Sequence, residues 1–140
     1  MRMKINYTTP CCRKRLGEIR HFVSQQIKDA KLSELEKGQI ILAVDEACAN
    51  AIIHGNDCDN SKELKLELEI NDDRISVEIS DVGNYQPRIR GNRSTQDVVG
   101  DCIQNRRKGG LGLRLMYGVM DNVKYYSRGS TNFCALTKRL

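Results

Sequence analysis

Three short groups of residues have the types and spacings from which chemistry could be built. Glu46 and Asn50 stand four apart, so on a helix a carboxylate and a carboxamide share one face, one turn from each other. Such a pair offers an acid–base group beside an amide, and by itself it is also what an ordinary solvated helix face looks like. Asp81-Val82-Gly83 is the second group. Asp-x-Gly occurs in many turns, but a buried aspartate must accept hydrogen bonds, from a ligand amine or from a backbone turn. The third is Gly109-Gly110-Leu111-Gly112, set before a predicted helix. Backbone N–H groups and the positive end of a helix dipole there suit a phosphate, while a flexible hinge is the plainer use of the same glycines. No Gly-Lys-Ser/Thr follows, so it is not a Walker A loop, and neither the preceding strand nor the third glycine fits a dinucleotide fingerprint.

The elements that must position these groups are legible in the hydrophobic pattern. Residues 3–8 alternate weakly and predict an edge strand, and Pro10 suits the opening of a helix. Leu16, Ile19, Phe22, Val23 and Ile27 fall at helical spacing behind a basic start, Arg13-Lys14-Arg15. Ser33-Glu34-Leu35-Glu36 is a capping box for a second helix that runs to His54, with Gly55 as its stop. Ile41, Val44, Cys48 and Ile52 form the stripe expected to pack on a sheet. Leu64, Leu66, Leu68 and Ile70 alternate with charges, Asn71-Asp72-Asp73 makes a turn, and Ile75, Val77 and Ile79 resume the alternation. Continuing that period puts Asp81 on the inward face.

From Val82 to Gly110 no periodicity is sustained; a short helix through Met120 and a closing hairpin over residues 123–138 follow. The order β-α-α-β-β-loop-α-β-β predicts a single α+β domain over residues 1–140. It is a two-layer α/β sandwich, with a mixed or antiparallel sheet and helices on one face.

Composition removes several classes. The chain has 140 residues, a net charge of +5, 29% charged and 39% hydrophobic residues, which fits a globular domain rather than a disordered one. Its longest apolar run, residues 40–44, is far short of the roughly 20 that a membrane helix needs. No secretory signal opens the sequence, so a cytoplasmic location is expected. The charge is uneven: Arg88, Arg90, Arg93, Arg106, Arg107 and Lys108 against Asp97 and Asp101 place +4 of the +5 in residues 84–108. A solvated loop and an anion-binding segment both fit that composition. Direct nucleic-acid binding is disfavoured, because no helix-turn-helix signature is present and five tyrosines with two phenylalanines form no stacking platform. The six cysteines make no C-x-x-C pair and no zinc-finger spacing, so reduced thiols acting as small apolar side chains are expected, with adjacent Cys11-Cys12 the exception to test.

Taken together and in this order, the three groups resemble a known family. The run Asp45-Glu46-Ala47-Cys48-Ala49-Asn50-Ala51-Ile52-Ile53-His54-Gly55 is similar to the N-box of the GHKL ATPase/kinase superfamily. It is closest to that of the bacterial anti-sigma-factor serine/threonine-protein kinases. Asp81-x-Gly83 resembles the first glycine box, and Gly110-Leu111-Gly112-Leu113 the second. The resemblance implies the Bergerat ATP-binding fold with a mobile ATP lid at about residues 84–108, and a length suited to a stand-alone kinase. It implies ATP and Mg²⁺ as cofactors. Asp81 would bind the adenine amino group, Gly83 would let the base approach the backbone, and Asn50 would hold Mg²⁺. The turn of Gly109, Gly110, Leu111 and Gly112 would wrap the triphosphate, and Glu46 would act as general base on a serine hydroxyl. The implied partners are a sigma factor and a STAS-domain anti-anti-sigma factor, with the chain itself a homodimer. Tyr85 departs from the family's D-x-G-x-G, where glycine is common. It marks the alternative of a catalytically weak or inactive ATP-binding module that acts by sequestration. The basic cluster then answers a triphosphate or an acidic partner surface.

Overall fold

The structure, a computed structural model, describes residues 2–52, 61–82, 91–92 and 118–140. In chain order these form β1 (Met3–Pro10), α1 (Leu16–Ile27), α2 (Glu34–Asn50), β2 (Glu63–Ile70), β3 (Arg74–Val82), β4 (Gly91–Asn92), β5 (Asn122–Arg128) and β6 (Thr131–Arg139). The six strands make one sheet in the order β1-β2-β3-β6-β5-β4. Every pairing is antiparallel, which resolves the mixed-or-antiparallel expectation.

The hairpin of β2 and β3 forms for the reason its alternation gives. Leu64, Leu66, Leu68, Ile75, Val77 and Ile79 all turn to the helical layer and are at most 1% exposed. Each such side chain is worth about 1.5–3 kcal/mol on burial. The turn between the strands is made by Asn71, whose Oδ1 accepts from the N–H groups of Asp73 at 2.8 Å and Arg74 at 2.9 Å. The opposite face is polar. Glu67 and Glu78 stand directly across from each other there, a like-charge pair that costs stability unless neutralised. Lys4 meets Glu67 at 2.6 Å, and the Tyr126 hydroxyl donates to Glu78 at 2.6 Å. Burial, with Glu78 as acceptor, pushes the Tyr126 phenol up to about 12. Its ring stacks on Phe133 at 4.8 Å.

The helices follow their predicted caps more closely than their predicted starts. Ser33 Oγ accepts from the Glu36 N–H at 3.1 Å, and the Ser33 N–H donates to Glu36 at 3.2 Å, completing the capping box of α2. α1 buries Ile19, Val23 and Ile27, while Arg13–Arg15 form a separate 3₁₀ turn with no buried residue. Pro10 does not open a helix. It is the last residue of β1, opposite Glu63. Proline lacks a ladder donor, and an edge strand tolerates that loss. The buried stripe of α2 is Ile40, Ala43, Val44, Ala47 and Cys48, continued by Ala51 and Ile52. Ile41, expected in the stripe, is only partly buried beside it.

Strand β4 is a further correction, because it lies inside the stretch read as irregular. Two residues carry no period to detect; they pair with Tyr125 and Lys124 at the far edge of the sheet. The rest of the predicted lid, its basic cluster, and the end of α2 at His54 and Gly55 lie outside the described residues. Among the described residues no helix is long and apolar enough to cross a membrane.

Among the described residues, Cys12, Cys48 and Cys134 are free thiols. Cys11 is fully buried, which removes half of the adjacent pair from reagents. Burial pushes the Cys48 thiol well up and the Cys134 thiol to about 12. In the native protein a thiol reagent, read by peptide mass spectrometry, is expected to label Cys12 ahead of Cys11, Cys48 and Cys134, which react on unfolding. Equal labelling of all four contradicts the packing. Removing the α2 cap by Ser33→Ala is expected to cost about 1 kcal/mol, read from the urea midpoint.

Candidate functional site

Helix α2 reaches the sheet over small residues. Ala43, Ala47 and Ala51, spaced four apart, are buried, and Ala47 and Ala51 line the space between the helix end and the sheet. A small cavity of about 20 Å³ remains there, lined by Asn50 from α2, Ile79 and Asp81 from β3, Tyr125 from β5, and Asn132 and Cys134 from β6, among others. Immediately after Asn50 the helix widens into a π turn at Ala51 and Ile52, a distortion that recurs at functional sites.

Asp81 is 6% exposed, on the inward face where its phase put it. Its register partner on the central neighbouring strand is Asn132, 9% exposed. Ser127 of β5 stands opposite Asn132 in turn, and its hydroxyl donates to Asn132 Oδ1 at 2.8 Å. Three adjacent strands thus carry a row of polar groups at the mouth of an otherwise apolar layer. Ionised carboxylates accept only, and carboxamides both donate and accept, so this row can pair with a ligand edge of mixed character.

Glu46 lies one turn back along α2, outside the cavity wall and half-buried. Burial raises its carboxyl pKa, and the charge of adjacent Asp45 raises it further. Asp45 is itself tied to α1 through Arg20 at 2.8 Å.

The predicted site residues therefore divide. Asn50 and Asp81, 31 positions apart in sequence, meet at one cavity, and Glu46 flanks it on the same helix. Gly83, Gly109, Gly110, Leu111 and Gly112 lie outside the described residues. Asn132, Ser127 and Tyr125 escaped the sequence reading. Asn132 carries the same signal that exposed Asp81, a polar residue in phase with the inward Cys134 and Leu136. Among the described residues no three His, Cys, Asp or Glu side chains are grouped to hold a metal.

The family profile described as "Histidine kinase-like ATPase domain" matches residues 11–138. The chain belongs to the histidine kinase-like ATPase family. Within this family it is 33% identical over 99 residues to an anti-sigma F factor of Clostridium perfringens, covering 71% of this chain and 67% of that one. A serine-protein kinase RsbW of Listeria innocua is 34% identical over 90 residues, covering 63% of this chain and 57% of the relative. The RsbW of Bacillus velezensis is 32% identical over 103 residues, covering 71% and 62%. The alignments thus span two thirds or less of these kinases' own length.

Two solved structures share the histidine kinase-like ATPase fold. In the SiaB–SiaC complex of Pseudomonas aeruginosa the match has a TM-score of 0.67 at 13% identity, over 97% of this chain and 88% of that one. In a Mycobacterium tuberculosis protein with RsbU and RsbW domains it has a TM-score of 0.65 at 14% identity, over 99% of this chain and 32% of that one. At such identities the likeness concerns the fold.

The raised Glu46 pKa makes a prediction that needs no substrate. A raised native pKa means that the folded state holds the Glu46 proton more tightly than the unfolded chain does. Its contribution to stability is present below the unfolded pKa and is lost as pH rises through the folded one. A carboxyl ¹³C titration should place Glu46 above the ordinary glutamate value, and Asp45→Asn should lower it. A Glu46 titrating at or below that value refutes the environment described.

Proposed function

We propose that the chain is an ATP-dependent protein-serine kinase and anti-sigma factor. In this reading it binds a sigma factor and phosphorylates a STAS-domain anti-anti-sigma antagonist, acting in the cytoplasm as a homodimer. The observation that carries the reading is the convergence of Asp81 and Asn50 on one cavity of the otherwise largely apolar layer between α2 and the sheet. The names of its relatives, anti-sigma F factor and serine-protein kinase, support the same reading.

The residues present fit the nucleotide. A buried carboxylate on the cavity wall suits an exocyclic amine, and a carboxamide oxygen at the helix end suits a hard cation. Asp81 accepts from the amino group of the base, and Asn50 holds Mg²⁺. ATP with Mg²⁺ supplies the phosphoryl group and the charge neutralisation that its transfer needs. Glu46, half-buried beside the cavity, takes the proton of the incoming serine hydroxyl. Its raised pKa, caused by burial and by the neighbouring Asp45 charge, makes it a stronger base than an exposed glutamate. The resemblance alone assigns Gly83 to the base and Gly109, Gly110, Leu111 and Gly112 to the phosphates; these residues lie outside the described ones.

The test is purified full-length chain with labelled ATP, Mg²⁺ and the STAS protein encoded nearest to it. Labelled phosphoserine is the expected product. Glu46→Gln should reduce transfer by about 10²-fold or more while leaving ATP affinity unchanged. Asp81→Asn should weaken ATP binding itself. Tight ATP binding without transfer to any STAS partner overturns the kinase reading and leaves the sequestering module in its place.

A further inference from the structure

Helix α2 is apolar on two opposite sides. Ile40, Ala43, Val44, Ala47 and Cys48 make its buried side. At about 100° per residue, Leu35, Leu42 and Ala49 fall within about 20° of one line on the far side, with Gly38 next to it. Leu35 is 72% exposed and Leu42 is 50% exposed. Polar and charged residues ordinarily occupy the face of a helix turned away from the core. A single exposed leucine needs no explanation. Two leucines seven apart on one helix face form a ridge.

The ridge runs into the candidate site. Glu46 lies one turn beyond Leu42 and about 40° around the axis, which sets their Cβ atoms about 5–6 Å apart. A serine that gives its proton to Glu46 must come within about 3 Å of that carboxylate, and it arrives on another protein. A standard contact covers about 800 Å² per partner and so reaches about 16 Å from its centre. Along the axis, Leu42 stands about 6 Å and Leu35 about 16 Å from Glu46. A protein seated with its serine at Glu46 therefore covers Leu42 and extends to Leu35. Between the two, a Cβ added at Gly38 would meet nothing within 4 Å, so the ridge is open to a close neighbour. Charges beside it are matched within the chain, Asp45 with Arg20 at 2.8 Å and Glu34 with Lys37 at 3.3 Å. The ridge thus offers apolar contact.

We propose that Leu35 and Leu42 form the docking ridge for the protein that carries the acceptor serine. That partner meets the ridge with an uncharged apolar patch about one helical turn from the serine. The inference rests on the kinase reading above and adds to it the surface that holds the protein substrate. Covering the leucines strengthens binding of that substrate before and during transfer alike, and touches no reacting atom. Losing the contact therefore raises KM for the protein substrate and leaves kcat in place.

The experiment measures transfer from Mg²⁺-ATP to the STAS protein encoded nearest to the chain, at varied concentrations of that protein. Glutamine is a good helix former, and both leucines face solvent, so Leu35→Gln and Leu42→Gln should keep the fold. Leu42→Gln should raise KM for the protein substrate about tenfold and Leu35→Gln a few-fold, with kcat and KM for ATP within about twofold of wild type. Leu42→Met, which keeps the apolar surface, should match the wild type. Leu140→Gln, at an exposed leucine away from α2, should match it too. Wild-type transfer with an unchanged protein KM in Leu42→Gln overturns this inference alone, and so does an equal rise in Leu140→Gln. If Leu42→Gln keeps its KM but loses sigma-factor binding or self-association in sedimentation, the ridge belongs to that other partner and the inference is overturned. A wild-type chain that transfers no phosphate overturns the kinase reading, and this inference with it.

Discussion

A carboxylate fixed on the buried face of a sheet constrains everything around it. Asp81 sits where the alternation of β3 demands an apolar side chain, and an ionised carboxylate there is costly unless polar groups surround it. The neighbourhood is built accordingly. Asn132 faces it across the ladder, Asn50 ends the helix above it, and alanines rather than leucines line the approach of α2. A larger residue at Ala47 or Ala51 would close the cavity and strand Asp81 against hydrocarbon. The small-residue stripe of α2 is therefore a consequence of Asp81 as much as of helix packing.

Helix α2 serves two functions with opposed demands. One face must pack tightly, and Ile40, Val44, Cys48 and Ile52 do so with no exposure. The flanking face must present Glu46 and Asn50. The capping box fixes where the helix starts, and with it the phase of every later residue. A slip of one position would carry Asn50 about 100° around the axis and away from the cavity. The ion pair between Arg20 and Asp45 ties α1 to the segment just ahead of Glu46. Asp45, adjacent to Glu46 in sequence, adds its charge to burial in raising the Glu46 pKa.

Much of this was legible in the sequence where the physics is periodic. The β2–β3 hairpin, the Asn71 turn, the Ser33–Glu36 cap and the inward phase of Asp81 follow from local spacing, and the structure reproduces each. Pro10 was misread because a missing N–H is tolerated equally at a helix start and on an edge strand, and only the pairing with Glu63 distinguishes the two. Strand β4 has two residues and no pattern of its own; it exists because β5 offers an edge to pair with. The stripe on α2 was placed one residue off at Ile41, since an isoleucine pair at positions 40 and 41 leaves the phase ambiguous until the sheet selects one. Asn132 was overlooked for a different reason. Its phase with Cys134 and Leu136 is local, but its place opposite Asp81 comes from a strand pairing across 51 residues that no local window contains.

Base reading and proton transfer make contrary demands on burial, and the placement of the candidate residues separates them. In the proposed kinase a carboxylate that binds the base works best where water cannot substitute for it, and Asp81 is 6% exposed. A serine on another protein must arrive from outside, so its proton acceptor needs an open side. Complete burial of Glu46 would push its pKa up until it stayed protonated at neutral pH and could accept nothing. Complete exposure would leave it a weak base. In the proposed kinase, half-burial next to Asp45 raises the basicity of Glu46 in part while leaving the carboxyl partly exposed. Under the proposed kinase reading, that compromise accounts for Glu46 standing outside the cavity wall while Asn50, one turn further along the same helix, is part of it.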